Sequence, residues 1–173
     1  PCNNPHWRQL FYRWFLNMVA HWRGLNKQYA NSTSPLLVGA QGFRKSTYCR
    51  IILPPELRFG YTDSLDFRNK RDAEMYLGRF MLINIDEFDQ ISMNQQGFLK
   101  HLLQKPVANL RKPYGSSIQE MRRYASFIGT SNQKDLLTDP SGSRRFICIE
   151  VTAPINTNVT CLLYTSPSPR DTR

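Results

Sequence analysis

The stretch that decides the fold is Leu36-Leu-Val-Gly39-Ala-Gln-Gly42-Phe-Arg44-Lys45-Ser46-Thr47. An apolar run of strand type leads into a glycine-containing loop, and a helical pattern follows over residues 45–53 until Pro54-Pro55 ends it. The spacing approaches G-x-x-x-x-G-K-[ST], in which backbone N–H groups surround phosphates, the lysine reaches the β- and γ-oxygens, and the hydroxyl binds Mg²⁺. The residues predicted to bind a nucleotide are Gly39, Ala40, Gln41, Gly42, Phe43, Arg44, Lys45, Ser46 and Thr47.

One residue departs from this pattern. Arg44 stands where the last glycine belongs, and it adds a Cβ and a bulky cation beside the phosphates. Gly42 still offers a permissive backbone position three residues before Lys45. On this motif alone, a chance glycine-rich turn before a helix is the rival interpretation.

A second motif follows about forty residues after the lysine. Leu82-Ile-Asn-Ile85-Asp86-Glu87 is an apolar strand that ends in two adjacent carboxylates. In this arrangement the first carboxylate holds the Mg²⁺ shell and the second polarises the attacking water. We therefore expect Ser46 and Asp86 to bind the metal, with Lys45 and Glu87 as catalytic residues. A strand ending in solvated acids is the alternative, but two motifs in this order favour a nucleotide site.

Two later segments suit the same chemistry. The apolar run 126–130 is followed by Ser131-Asn132, which places an amide at the edge of a sheet where open α/β folds bind ligands. Arg144 and Arg145 follow Asp139-Pro-Ser-Gly142 and precede another apolar strand, where a guanidinium can stabilise the transferring phosphoryl group. Asn132, Arg144 and Arg145 are thus candidate catalytic residues. A turn asparagine and solvated strand-flanking arginines are the alternatives.

Apolar strands alternate with helical patterns, which predicts an α/β fold with a largely parallel sheet flanked by helices. Asn4-Pro5 opens an amphipathic N-terminal helix whose stripe includes Trp14 and Met18; a core position is favoured over a membrane surface. Asn69 is predicted to cap a helix. The remaining predicted elements are strands over 36–38, 81–85, 126–130 and 146–151 and helices over 70–78 and 94–104.

Composition bounds the possible function. The chain has 173 residues, with 23 Lys and Arg against 13 Asp and Glu, which gives a formal charge of +10. Hydrophobic residues make up 40%, which is enough to bury a core and excludes a wholly disordered chain. No apolar run reaches the roughly 20 residues of a membrane span. Four cysteines without a CxxC pair and three histidines without ligand spacing disfavour a zinc site, and a cytoplasmic location is expected.

Both ends of the chain look unnatural. It begins with Pro1 and has no signal-peptide pattern, so residues 1–160 are interpreted as one domain from a longer protein. Residues 161–173 resemble the translation of sequencing-adapter DNA, and they are left out of the functional interpretation. A genuine Ser/Pro-rich terminus is the alternative.

Residues 6–152 resemble the virulence-associated protein E family. The family comprises P-loop ATPases from phages, mobile elements and bacterial genomes; they are similar to superfamily 3 helicases and often stand beside primase-like domains. The most distinctive segment is Asp139-Pro-Ser-Gly-Ser-Arg-Arg-Phe146, because few P-loop families end their core in this arrangement. The other segments that carry the resemblance are 39–47, 83–87, 111–115 and 127–132.

The resemblance implies Mg²⁺-dependent ATP hydrolysis by a helicase-like motor that acts on DNA in the replication of a phage or mobile element. It implies that Asn132 senses the γ-phosphate, and an arginine finger at Arg144 or Arg145 implies a ring of identical subunits. The alternative function is a nucleic-acid-binding replication module that keeps the P-loop shape but hydrolyses ATP poorly because of Arg44.

Nucleic acid, and single-stranded DNA in particular, is the expected polymer. Residues 100–123 carry six basic side chains against the single acid Glu120, the strongest local charge bias in the chain. Pro113-Tyr-Gly115 predicts a turn that places Arg111 and Lys112 near a loop tip, and in related helicases a hairpin in this interval contacts the strand. The candidate nucleic-acid ligands are Arg111, Lys112, Arg122 and Arg123. A solvated basic face is the alternative.

Overall fold

The computed structural model describes residues 5–111, 118–133 and 144–158. Four α-helices and seven strands lie along these segments; they alternate from α1 to β4, and three further strands follow. The helices are α1 (Trp7–Arg23), α2 (Lys45–Ile51), α3 (Lys70–Arg79) and α4 (Met93–Gln104). The strands are β1 (Ser34–Val38), β2 (Tyr61–Thr62), β3 (Leu82–Ile85), β4 (Val107–Arg111), β5 (Ile118–Arg122), β6 (Ser126–Ser131) and β7 (Phe146–Glu150).

Five strands form one sheet in the order β2-β3-β6-β1-β7, and each neighbouring pair is parallel. In the centre, Leu36 of β1 lies opposite Gly129 of β6 on one side and Cys148 of β7 on the other. Because parallel strands share a direction, β1, β3 and β6 all deliver the chain to the same edge of the sheet. The remaining strands, β4 and β5, pair antiparallel as a separate hairpin.

The sheet is covered on both faces, which is why its strands are continuous apolar runs rather than alternating ones. Leu36 and Val38 pack into a cluster with α3 and α4, whereas Leu37 between them packs into a second cluster with α1 and α2. Trp14 and Met18 of α1 are buried in this second cluster. The aromatic stripe of the first helix is therefore core packing, as the sequence favoured.

The α/β prediction is confirmed, with shifts at element ends. Asn69 caps α3, because its Oδ1 accepts a hydrogen bond from Asp72 N at 3.3 Å. The first helix begins at Trp7 with His6 in the N-cap position, and the predicted cap Asn4 lies outside the described residues. Strand β2 and the bounds of β4 and β5 had no prediction, and the predicted turn at 113–115 lies outside the described residues. Among the described residues, no helix combines the length and apolar character needed to cross a membrane.

Candidate active site

A cleft of about 370 Å³ opens at the carboxyl edge of the sheet. The 39–44 loop follows β1, Asp86 and Glu87 follow β3, and Asn132 follows β6, so three adjacent strands deliver their side chains to one place. Open parallel sheets bind ligands at this edge. The cleft is lined by Gln41, Gly42, Phe43, Arg44, Lys45, Ser46, Thr47, Asp86, Glu87, Thr130 and Asn132.

Lys45 is the first residue of α2 and only 6% exposed. Its Nζ donates hydrogen bonds to Gly39 O at 2.7 Å, to Ala40 O at 2.9 Å and to Asn132 Oδ1 at 3.0 Å. Burial lowers the pKa of Lys45, and the negative charge of Asp86 partly opposes that effect. The lysine thus joins the loop after β1 to the amide after β6, at the mouth of the cleft.

Asp86 is the meeting point of two hydroxyl groups. Ser46 Oγ donates to Asp86 Oδ1 at 2.8 Å, and Thr130 Oγ1 donates to the same oxygen. The two predicted metal-binding residues, Ser46 and Asp86, are therefore in direct contact. Thr130 was missed by the sequence interpretation, because its place beside Asp86 depends on the pairing of β3 with β6.

Glu87 follows Asp86 in a left-handed backbone conformation, with φ of 50°. A residue with a Cβ adopts this conformation at a cost of about 1–2 kcal/mol relative to the right-handed region. A short 3₁₀ turn over Phe88–Gln90 follows at once. A continuing strand would place the carboxylates of Asp86 and Glu87 on opposite faces of the sheet, whereas with this sharp turn both residues line the cleft.

Asp89 is a third acid beside the cleft that the sequence interpretation missed. It accepts hydrogen bonds from Ser131 Oγ at 2.8 Å and from Asn132 N at 3.4 Å. Burial acts to raise the pKa of Asp89, but the hydrogen bonds from Ser131 and from backbone N–H groups outweigh it and lower this pKa. Asp89 thereby fixes the backbone of Asn132. The signal was present as a third acid after β3, in the pattern Asp-Glu-x-Asp.

The loop before α2 needs glycine-like backbone at two positions. Gly42 has φ of 84° and Arg44 has φ of 59°. At Gly39 the constraint is space, because a Cβ there would lie 2.5 Å from the carbonyl oxygen of Val151. Arg44 therefore departs from the motif in residue type, while its backbone keeps the conformation that a glycine would adopt.

Arg44→Gly is expected to raise the affinity for ATP several-fold, because it removes a Cβ that restricts the backbone near the phosphates, an effect expected to outweigh the lost attraction between the guanidinium and the phosphates. The measurement is a titration of Mg²⁺–ATP against both proteins. Arg44→Ala is the matched control, since it removes the charge but keeps the Cβ. A lower affinity in Arg44→Gly and in Arg44→Ala would contradict the prediction and identify the guanidinium as a phosphate ligand.

The sequence profile of the virulence-associated protein E-like domain matches residues 2–163. The chain belongs to this family. A search of curated protein sequences found no significant match.

Solved structures share the fold of this virulence-associated protein E-like domain. An apo structure of the NrS-1 C-terminal region superposes with a TM-score of 0.52 and 17% identity, covering 80% of this chain and 34% of that one. A second apo structure of the same region gives a TM-score of 0.53 and 16% identity, covering 88% of this chain and 37% of that one. The domain thus spans about a third of each solved chain.

The arginines predicted to act on the phosphoryl group lie away from the domain's own cleft. Arg144 and Arg145 immediately precede β7, and Arg145 O accepts a hydrogen bond from Ser34 N at 2.8 Å. Ser34 begins β1, so both arginines lie at the amino edge of the sheet. Strands β1 and β7 have five residues each, so the amino and carboxyl edges of the sheet are roughly 16 Å apart along them. The structure therefore brings Lys45 and Asn132 together, and it leaves the two arginines at the opposite edge.

Arg123 is a structural residue of the domain. It is only 1% exposed, and its guanidinium donates to Ala125 O at 2.8 Å, Leu102 O at 2.8 Å, Leu103 O at 3.1 Å and Lys105 O at 2.6 Å. Burial lowers the pKa of Arg123 to about 9, so the side chain is protonated at neutral pH. Because it holds the carboxyl end of α4, it is removed from the predicted nucleic-acid surface.

Arg122 is engaged in the same way at the other helix. Its Nη2 donates to His21 O at 2.6 Å and to Trp22 O at 2.9 Å, at the carboxyl end of α1. Arg122 and Arg123 are therefore withdrawn from the predicted nucleic-acid surface, and the role of Arg111, which ends β4, stays a prediction. Lys112 lies outside the described residues. The charge bias of this segment suggested a larger basic surface than the structure has. An arginine that binds the carbonyl groups at a helix end cannot be told, from sequence, from one that faces solvent.

Proposed function

We propose that this domain binds Mg²⁺–ATP in the cleft and hydrolyses it. The contact between Ser46 Oγ and Asp86 Oδ1, 2.8 Å apart, carries the proposal. A hydroxyl and a carboxylate are oxygen ligands of the kind that Mg²⁺ takes together with substrate phosphates. They come from α2 and from the end of β3, the two elements that carry the motifs. When bound, Mg²⁺ would neutralise charge that develops on the phosphates.

The loop and five side chains of the cleft have roles in this proposal. The loop 39–47 forms a P-loop whose backbone N–H groups surround the phosphates, and Lys45 supplies positive charge to the β- and γ-phosphates. Ser46 and Asp86 hold the ion, and Glu87 orients the attacking water. Asn132, which contacts Lys45 Nζ at 3.0 Å, is placed to sense the γ-phosphate.

We propose that hydrolysis is coupled to movement along DNA in replication, with single-stranded DNA at the far end of the hairpin. The hairpin leaves the chain after α4 and returns into β6, the strand that leads to Asn132. A polymer bound at Arg111 and Lys112 is thereby linked to the nucleotide site through β5 and β6. The net charge of +10 is in keeping with a polyanionic partner.

A second candidate function is a nucleic-acid-binding replication module with little hydrolysis. The observation that favours it is Arg44, which holds φ of 59° at a position that suits glycine. The two functions differ in turnover rather than in fold. Phosphate release from Mg²⁺–ATP, measured with and without single-stranded DNA, separates them.

The unchanged protein is expected to release phosphate from Mg²⁺–ATP, and the rate is expected to rise with single-stranded DNA. In Glu87→Gln the rate is expected to fall about 10²–10⁴-fold, because an amide cannot accept a proton from the attacking water. Glu87→Gln is expected to bind Mg²⁺–ATP with unchanged affinity. Glu56→Gln, an exposed acid outside the cleft, is the matched control. Full turnover in Glu87→Gln would reassign the role of Glu87, and no turnover in any protein would favour the binding module.

A further inference from the structure

Thr130 connects the two carboxyl-bearing residues of the cleft. It lies on β6, is 3% exposed, and its Oγ1 donates to Asp86 Oδ1. The same Oγ1 accepts a hydrogen bond from Glu87 N at 3.4 Å. A single hydroxyl thus receives a hydrogen from the backbone of Glu87 and gives one to the side chain of Asp86.

We propose that Thr130 is a positioning residue for hydrolysis, one that holds Asp86 and Glu87 in a fixed relation; this rests on the proposed function of the cleft. Only a hydroxyl among small side chains accepts one hydrogen bond and donates another through one atom. The order of the two bonds is fixed, because Glu87 N can only donate and an ionised Asp86 can only accept. Each bond polarises the other.

The link to Asp86 fixes the rotation of the metal-binding carboxylate. Ser46 and Thr130 both donate to Oδ1, so two hydroxyl groups hold the carboxylate that would bind the ion. Ser46 is itself proposed as a metal ligand, so its contact with Asp86 changes when the ion binds. Thr130 is not proposed as a metal ligand, so its hydrogen bond would hold the carboxylate with and without the ion. Partners of this kind behind a metal ligand are worth about 10–100-fold in metal affinity or activity.

The link to Glu87 holds a strained turn. Glu87 has φ of 50°, and the turn at this residue sets the direction of its carboxylate. Its N–H comes directly before the strained Cα, so the bond to Thr130 acts at the point where the chain would relax. Losing that bond would let the backbone return toward its ordinary conformation and move the carboxylate from the attacking water.

The test compares Thr130→Val, which keeps the shape and removes the hydroxyl, with Thr130→Ser, which keeps the hydroxyl and removes the methyl. Thr62→Val is the matched control, because its hydroxyl lies on the edge strand β2 and accepts from Ser64 N. The measurements are kcat and KM for ATP hydrolysis, the Mg²⁺ concentration at half-maximal rate, ATP affinity by titration, and Tm.

Thr130→Val is expected to lower kcat about 10–100-fold and raise the Mg²⁺ requirement about 5-fold or more, with KM within about 3-fold of the unchanged protein. Thr130→Ser and Thr62→Val are expected to stay within about 3-fold in every parameter. Where Thr130→Val does not fold, Thr130→Ala takes its place, since it also lacks the hydroxyl and introduces no added bulk.

Unchanged kcat and Mg²⁺ dependence in Thr130→Val, with the unchanged protein active, would overturn this inference and leave the proposed function standing. A Thr130→Ser protein as impaired as Thr130→Val would also overturn it, because the methyl group and not the hydroxyl would then matter. An unchanged protein that binds no Mg²⁺–ATP would instead overturn the proposed function and this inference with it.

Discussion

Lys45→Ala is expected to weaken the binding of Mg²⁺–ATP about 10²–10⁴-fold. Two charge-assisted hydrogen bonds to phosphate oxygens are worth roughly 3–6 kcal/mol together, and alanine supplies neither. In the structure the Lys45 ammonium already lies against the loop, with Gly39 O at 2.7 Å and Ala40 O at 2.9 Å. The measurement is a direct titration with ATP or a fluorescent ATP analogue in the presence of Mg²⁺.

Lys27→Ala is the control for this prediction, because Lys27 is an exposed lysine before β1 and its removal changes net charge by the same amount. Its affinity for ATP is expected to match that of the unchanged protein. The Tm of each variant shows whether the loop still folds without the contacts from Nζ. Equal affinity in Lys45→Ala and Lys27→Ala would contradict the nucleotide-site assignment.

The double variant Arg144→Ala, Arg145→Ala is expected to bind ATP normally and to hydrolyse it about 10³–10⁵-fold more slowly, the range for loss of an arginine finger. Both arginines precede β7 at the amino edge of the sheet, and the cleft of the same chain is at the carboxyl edge. They can then act only on a nucleotide held by a neighbouring subunit, which requires head-to-tail contacts of the kind that close into a ring.

Mixing the double variant with Lys45→Ala protein gives the decisive measurement. One subunit keeps an intact cleft and the other keeps its arginines, so phosphate release in the mixture is expected to exceed the sum of the two separate proteins. Activity per subunit of the unchanged protein is also expected to rise with concentration. Arg13→Ala, Arg71→Ala, which removes two exposed arginines elsewhere, serves as the control. No rescue and no concentration dependence would leave the two arginines without a catalytic role.

The fully buried strands and the polar residues at their ends were predictable, because an apolar run and the polar residues that follow it are adjacent in sequence. The apolar runs at β1 and β3 are covered on both faces, and the loop and the carboxylates follow them directly in sequence. Strand β2 escaped prediction because it has two residues at the edge of the sheet, too few to show a pattern. The hairpin strands carry no clear alternation, since β4 reads Val-Ala-Asn-Leu-Arg.

The missed site residues have a different cause. Thr130 and Asp89 act through the contact between β3 and β6, which are neighbours in the sheet but are separated along the chain by α4 and the hairpin. No local sequence pattern indicates that β3 and β6 are neighbours in the sheet. Arg122 and Arg123 were assigned wrongly for a related reason. The sequence shows that both side chains are charged, but it does not show the backbone carbonyl groups to which they donate hydrogen bonds.

The adjacent arginines at the end of β5 have a mechanical consequence. Arg122 is bonded to the end of α1 and Arg123 to the end of α4, and these helices cover opposite faces of the sheet. The root of the hairpin is therefore anchored to both layers at once, one residue on each side. A force on the hairpin would therefore act on both helix layers, and from this root the chain leads directly into β6 and Asn132.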